Sequence, residues 1–122
     1  MFVIHDDQVR AFAATIRARF EVRAAEQLSA RLGRAIDVAA VHASVDRAFA
    51  RGIVTEPEVL QHAAIECALG GDLAVVWPWA LETLEDDYLT PLGKLRTLLR
   101  LAAAGGIDVA NVDLELVTAR AR

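Results

Sequence analysis

Residues 55–71 read TEPEVLQHAAIECALGG, and this stretch has the clearest helix boundaries in the chain. Thr55 and Glu58 have the spacing of a capping box, in which each side chain satisfies the other residue's free backbone N–H. Pro57 falls in the first turn, where its missing N–H removes no helical hydrogen bond. The pair Gly70–Gly71 is typical of a helix end. We therefore predict a helix between Thr55 and these glycines.

Two further helices are predicted upstream of this stretch. Asp6 or Asp7 can cap a long helix that ends at Gly33. Its apolar residues recur at helical spacing, at positions Val9, Phe12, Ile16, Phe20, Leu28 and Leu32. A second helix starts after Asp37, runs to Arg51 and stops at Gly52, with an apolar stripe formed by Val38, Val41, Val45 and Phe49.

The downstream half contains two more predicted helices and two ambiguous segments. Pro78 opens a helix through Trp79, Leu81 and Leu84, and Pro91 opens another that ends at Gly105–Gly106 with Leu92, Leu95, Leu98, Leu99 and Ala102 on its apolar face. Residues 72–77 fit either a short extended piece or a buried loop. The tail from Ile107 to Val117 fits a helix capped by Asp108, which we favour, or an extended segment that pairs with Phe2–Ile4.

These elements predict an all-α single domain, residues 1–122, of about five helices. At 122 residues with 55% hydrophobic residues, the chain is long enough to bury an independent core. Cys67 stands alone and cannot form an internal disulfide. No uncharged run approaches the roughly 18 residues of a membrane span, and the N-terminus does not resemble a signal peptide. We therefore expect a cytoplasmic protein without a membrane partner.

The net charge of −4 is distributed unevenly along the chain. Residues 1–52 carry eight arginines and six acids, whereas residues 53–122 carry five basic and eleven acidic residues. The acidic second half argues against a phosphate-binding surface. The arginines of the first half alternate with carboxylates, so we interpret them as a solvated helix face. A nucleic-acid-binding regulator that uses the first helix is kept as a minor alternative.

The strongest candidate for chemistry is a ladder on the third helix. Glu58, His62 and Glu66 follow at four-residue intervals and share one helical face, and Cys67 adjoins them. Such residues can bind a divalent metal, so a small metal- or carboxylate-dependent enzyme is an alternative. We favour an exposed set of hydrogen bonds on a polar face, with no metal, cofactor or catalytic residues, and a buried structural thiol at Cys67. Common nucleotide-binding and hydrolase motifs are absent from the sequence.

A second candidate site is a surface for a protein partner. Trp77 and Trp79 flank Pro78, and we expect that they cannot both point the same way, which leaves one partly exposed as an interface anchor. An acidic cluster follows that could attract a basic partner. The predicted partner-binding residues are Trp77, Trp79, Glu82, Glu85, Asp86 and Asp87.

Three segments carry a resemblance to a known family: Gly52–Val59 (GIVTEPEV), Leu69–Leu73 (LGGDL) and Trp77–Ala80 (WPWA). In these segments the chain resembles small, largely uncharacterised proteobacterial proteins encoded beside effectors of the type VI secretion system. The resemblance implies a non-enzymatic accessory protein that binds a toxin or a secretion component, as an adaptor, a chaperone or a cognate immunity protein. It implies no catalytic residues. A homodimer formed through an exposed apolar edge is a further expectation.

Overall fold

A computed structural model describes residues 6–106 and 109–114, with side chains from Ala14 onward. Within these residues the chain forms six helices and no β-strand, which confirms the predicted all-α class. The helices are α1 (Asp6–Leu32), α2 (Val38–Ala50), α3 (Glu56–Leu69), α4 (Leu73–Val76), α5 (Ala80–Leu84) and α6 (Pro91–Ala104). None of these helices is both long enough and apolar enough to cross a lipid bilayer.

The ends of the long helices follow the local sequence signals. Gly70 closes α3 in the left-handed conformation (φ +83°), which a side chain would disfavour. The Thr55 half of the predicted capping box is wrong, because the Thr55 side chain makes no capping hydrogen bond. Thr90 does cap α6, accepting a hydrogen bond from Gly93 N at 3.0 Å. The predicted cap at Asp6 or Asp7 lies outside the described side chains.

The ambiguous segment after the third helix forms a short helix, so both of its predicted conformations are wrong. Two carboxylates hold the start of α4: Asp72 accepts from Ala74 N at 3.0 Å, and Glu66 accepts from Leu73 N at 2.7 Å. The next helix begins at Ala80 rather than at Pro78, because residues 77–79 form a turn.

In the tail, the favoured helix is wrong over the described residues 109–114. They form a single turn closed by Asp113 N and Val109 O at 2.8 Å. The alternatives that involve Phe2–Ile4, Asp108 and residues after 114 lie outside the described residues.

The core is organised around α3, which packs against α1, α2, α4 and α6. Its Val59, Ala63, Ala64 and Ile65 are buried, and so are Leu95, Leu98, Leu99 and Ala102 on α6. The buried face of α2 consists of Val41, Ser44, Val45 and Ala48. The predicted stripe was therefore only half right: Val41 and Val45 are buried, whereas Val38 and Phe49 remain 41% and 43% exposed.

Candidate functional site

The predicted ladder on α3 is buried rather than exposed. Glu58, His62 and Glu66 retain 5%, 0% and 2% of their accessible surface, so the expected exposed polar face is wrong. The residues that cover the ladder include Arg47 on α2 and Arg51 just after it, two of the arginines predicted to be solvated, and both turn inward. Burial of ionisable groups is costly unless each one is paired, so the hydrogen-bond partners of this cluster determine what it can do.

Glu66 is the centre of this buried network. Its Oε1 accepts from Arg47 Nε at 2.8 Å. Its Oε2 accepts from Arg51 Nη1 at 3.2 Å and from the backbone N–H of Leu73 at 2.7 Å. One carboxylate therefore binds the guanidinium groups of Arg47 on α2 and of Arg51 just after α2, together with the first turn of α4. Hydrogen bonds of this kind, with a charged partner, are stronger than neutral ones, so Glu66 ties three helices together.

His62 is held in one tautomer by its neighbours. Arg51 Nη1 lies 2.9 Å from Nε2, and since a guanidinium can only donate, Nε2 must be the acceptor. The ring proton is therefore on Nδ1, which faces Ser44 Oγ at 3.0 Å. Burial lowers the pKa of His62 to about 4, against the opposing attraction of Glu66. The imidazole is neutral at physiological pH.

This tautomer excludes nucleophilic catalysis by the Ser44–His62 pair. A histidine that activates a serine must accept the hydroxyl proton, but Nδ1 carries its own proton and donates it. Both side chains are also at most 1% exposed, so a substrate has no access to them. The pair therefore acts as a packing contact between α2 and α3.

Arg51 extends the network to the α3–α4 turn. Its Nη2 donates to Asp72 Oδ1 at 2.7 Å, and its own backbone carbonyl faces Lys94 Nζ at 3.5 Å. Burial tends to raise the pKa of Asp72, but hydrogen bonds from Arg51 and Ala74 N outweigh it and lower the pKa below its usual value. The network thus stabilises the charged form of Asp72, which in turn caps α4.

The described residues offer no metal centre at this ladder. No group of three or more His, Cys, Asp or Glu side chains among residues 14–106 and 109–114 is arranged to hold a metal ion. Around Glu66 the positive charge comes from Arg47 and Arg51. Within the same residues every fully buried side-chain nitrogen or oxygen has a hydrogen-bond partner. The network is satisfied internally, as expected of a structural cluster.

Cys67 is a buried thiol, as predicted. It is 7% exposed, and burial raises its pKa, which disfavours the reactive thiolate. Beside it lies an open groove of about 500 Å³ between the start of α2 and the end of α3, lined among others by Arg34, Asp37 and Arg47. The carboxylates of Asp37 and Glu66 in the same lining balance its two arginines, so the groove has no net charge preference.

A second polar cluster, between α1 and α2, was missed by the sequence reasoning. Arg17 donates to Glu21 at 2.8 Å and to Asp46 at 2.7 Å, and His42 Nδ1 lies 2.9 Å from Glu21. The bond from Arg17 holds the pKa of Asp46 below its usual value. The four-residue spacings of Arg17 with Glu21 and of His42 with Asp46 are the signals that were available.

The two tryptophans share one stacked arrangement instead of pointing apart. The ring centroids of Trp77 and Trp79 lie 5.1 Å apart with an interplanar angle of 20°, so the predicted divergence is wrong. The turn through Pro78 brings residues 77 and 79 to the same side. Trp79 is 42% exposed and Trp77 is half-buried, which agrees with the expectation of one partly exposed tryptophan.

Residues 75–88, which we call the 75–88 segment, contain exposed apolar side chains followed by the predicted acidic cluster. Its large exposed apolar side chains are Val75 (73%), Val76 (43%), Trp79 (42%), Leu81 (44%) and Tyr88 (100%). Glu82, Glu85 and Asp87 are exposed, and Asp86 is half-buried with Oδ1 accepting from Tyr88 N at 2.9 Å. Exposed apolar side chains and four carboxylates thus lie within one short stretch.

Comparisons with known proteins identified no relative of this chain. No protein-family model matches the chain, and no curated protein or solved structure matches it significantly.

Proposed function

We propose that this chain is a non-enzymatic, cytoplasmic accessory protein that binds a basic protein partner through its 75–88 segment. The observation that carries the proposal is the density of exposed apolar side chains within this segment, Trp79 among them, in the same short stretch as four carboxylates. Most exposed hydrophobic residues are scattered singly, whereas contiguous ones mark interaction sites. The cluster of ionisable side chains on α3 is buried and internally paired, which supports a structural role for it.

The composition of the segment defines the partner that it would bind. Tryptophan and tyrosine provide a large apolar contact area with few rotatable bonds and are common among residues that dominate binding energy. Glu82, Glu85 and Asp87 would surround such an anchor with negative charge. Negative potential accelerates association with a positive surface and disfavours acidic competitors. The fitting partner therefore has an apolar recess bordered by lysine or arginine.

For the identity of that partner we rely on the resemblance described from the sequence. In the type VI secretion context, it would be a toxic effector or a component of the delivery machinery. An adaptor or chaperone would hold the effector before export, and an immunity protein would block its active site. Both roles need a stable complex with one partner, and the 75–88 segment serves either.

The test is co-purification from the native host with a tagged chain, followed by titration calorimetry with the identified partner. We expect one stoichiometric basic protein. Trp79→Ala should weaken its binding at least about tenfold, the size of an ordinary anchor effect. Leu101→Ala is the matched control, since Leu101 is 45% exposed on α6, and it should bind as the parent does.

Charge reversal separates the acidic contribution from the apolar one. The triple variant Glu85→Lys, Asp86→Lys and Asp87→Lys should slow association and reverse its dependence on salt, because salt would now screen a repulsion, with the helical circular dichroism unchanged. Full binding by this variant and by Trp79→Ala would refute the proposal for this segment. Once a partner is identified, its toxicity with and without this chain distinguishes an immunity protein from an adaptor.

A further inference from the structure

The side chain of Gln61 on α3 pairs with residues 109–114 in the way that one β-strand pairs with another. Gln61 Nε2 donates to Val112 O at 2.8 Å, and Gln61 Oε1 accepts from Leu114 N at 2.9 Å. A neighbouring strand uses the same two groups, the C=O of one residue and the N–H of the residue two positions later. Gln61 is only 1% exposed, and a buried amide that loses its partners is costly. This position therefore favours a main chain beside it.

Arg31 on α1 binds the same segment, again through main-chain groups. Its Nε donates to Asn111 O at 2.8 Å, and its Nη2 donates to Asp113 O at 2.7 Å. These two bonds and the two of Gln61 involve no side-chain atom of the segment. Main-chain bonds of this kind supply affinity for a peptide without depending on its sequence, which is read instead by pockets for side chains.

Three aliphatic side chains of the segment supply that second kind of contact. Val109, Val112 and Leu114 are half-buried and pack against the core of the helices. They follow one another at intervals of three and two residues, whereas Ala110 and Asn111 between them are exposed. The site thus selects aliphatic groups at three positions and tolerates other residues between them, as a peptide-binding site does.

The segment is less deeply embedded than the helices that hold it. None of residues 109–114 is buried, and they form a single turn rather than a helix or a strand. α6 ends at Ala104, and the pair Gly105–Gly106 follows it. Parts of a protein with few buried groups open locally at a lower free energy than its core. The segment can therefore leave its site while the helices stay folded.

We propose that the site formed by Gln61 and Arg31 binds a peptide segment of another protein, and that residues 109–114 occupy it as a strap when no such partner is present. The partner segment would carry aliphatic side chains at the spacing found in the strap, and its main chain would take over the four hydrogen bonds. The strap acts as an intramolecular competitor, because a linked ligand is present at about millimolar effective concentration. The inference does not depend on the proposed function, since the 75–88 segment supplies none of these hydrogen bonds.

Binding of a short peptide to the full chain tests this inference. The probe is a fluorescein-labelled peptide of residues 109–114 (VANVDL), whose anisotropy is followed during titration with the protein. The double variant Val112→Ser and Leu114→Ser has a weakened strap and should bind the peptide at least about tenfold more tightly than the parent, whose own strap competes. Its helical circular dichroism should match that of the parent. Asn111→Ser, at an exposed position of the strap, is the matched control and should bind as the parent does.

Displacement of the strap in the parent gives a second measurement that needs no variant. Excess unlabelled peptide should accelerate hydrogen exchange at the Leu114 amide of the ¹⁵N-labelled chain, whereas a peptide with serine in place of Val112 and Leu114 should not. Two results would overturn the inference: a folded double variant that binds the peptide no more tightly than the parent, or Leu114 exchange that excess peptide leaves unchanged. Either result would show that residues 109–114 are a fixed part of the fold.

Discussion

Glu66→Gln is the substitution that most directly tests the buried network. The change keeps the size and shape of the side chain but removes its charge and turns one acceptor oxygen into an NH₂ donor. In the folded protein, Glu66 accepts hydrogen bonds from Arg47, Arg51 and Leu73 N at 2.7–3.2 Å. The new NH₂ group would face donors in whichever orientation the amide takes, so at least one of these bonds must be lost.

The expected loss is about 3 kcal/mol of unfolding free energy. Removing one partner of a buried ion pair costs about 3–5 kcal/mol, and the bond of a single charged group contributes about 1.5–3 kcal/mol. The lower end of the first range applies, because the Arg47 side chain is 29% exposed and can regain water. Since domains have stabilities of about 5–15 kcal/mol, the variant should still fold.

Urea unfolding at neutral pH, followed by far-ultraviolet circular dichroism, measures this loss. The midpoint should fall while the m-value stays constant. Glu82→Gln is the matched control, because Glu82 is exposed on α5, and its effect should stay within about 0.5 kcal/mol. A loss below about 1 kcal/mol for Glu66→Gln would refute the assignment of Glu66 as the anchor between α2, α3 and α4.

Three further predictions concern single contacts. His62 has a pKa of about 4 in the folded chain against 6.5 when unfolded, so the unfolded state binds a proton first as the pH falls. The free energy of unfolding is therefore retained above pH 6.5 and should fall by about 3 kcal/mol as the pH drops to 4. Urea unfolding of the parent and of His62→Gln across this pH range should resolve the difference in slope. Gln61→Leu removes the bonds to Val112 O at 2.8 Å and from Leu114 N at 2.9 Å, and it should lower stability by about 2 kcal/mol and accelerate hydrogen exchange at the Leu114 amide. Thr90→Ala should lower the free energy of unfolding by about 1 kcal/mol, because it removes the side-chain cap of α6. Thr55→Ala loses no capping bond and should lower it by under about 0.5 kcal/mol. Thermal melts of the two variants measure both losses.

Each of these predictions has a result that contradicts it. Equal pH slopes in parent and His62→Gln would mean that another group causes the acid sensitivity. Unchanged exchange at Leu114 would show that Gln61 does not hold the segment 109–114. Equal losses for the two threonine variants would restore the capping interaction at Thr55 that the sequence spacing predicted.

The sequence was informative where structure depends on a few neighbouring residues. Pro57 and Pro91 mark the first turns of α3 and α6, and Gly33 and Gly70 follow the ends of α1 and α3 in left-handed conformations. These signals act within one helical turn, since a proline or a glycine limits the local backbone by its own covalent structure. The all-α class follows from the apolar spacing between such signals.

Only the tertiary structure decided which polar side chains face inward. The spacing of His62 and Glu66 is compatible with an exposed face or a buried one, and the choice depends on Arg47 and Arg51, which lie 11 to 19 residues away in the chain. The stacking of Trp77 on Trp79 likewise appears only in the structure, because it depends on the backbone of the turn between them. Periodicity records where a side chain lies on its own helix. It contains no information about what covers that helix, because burial is a property of the neighbours that packing brings together.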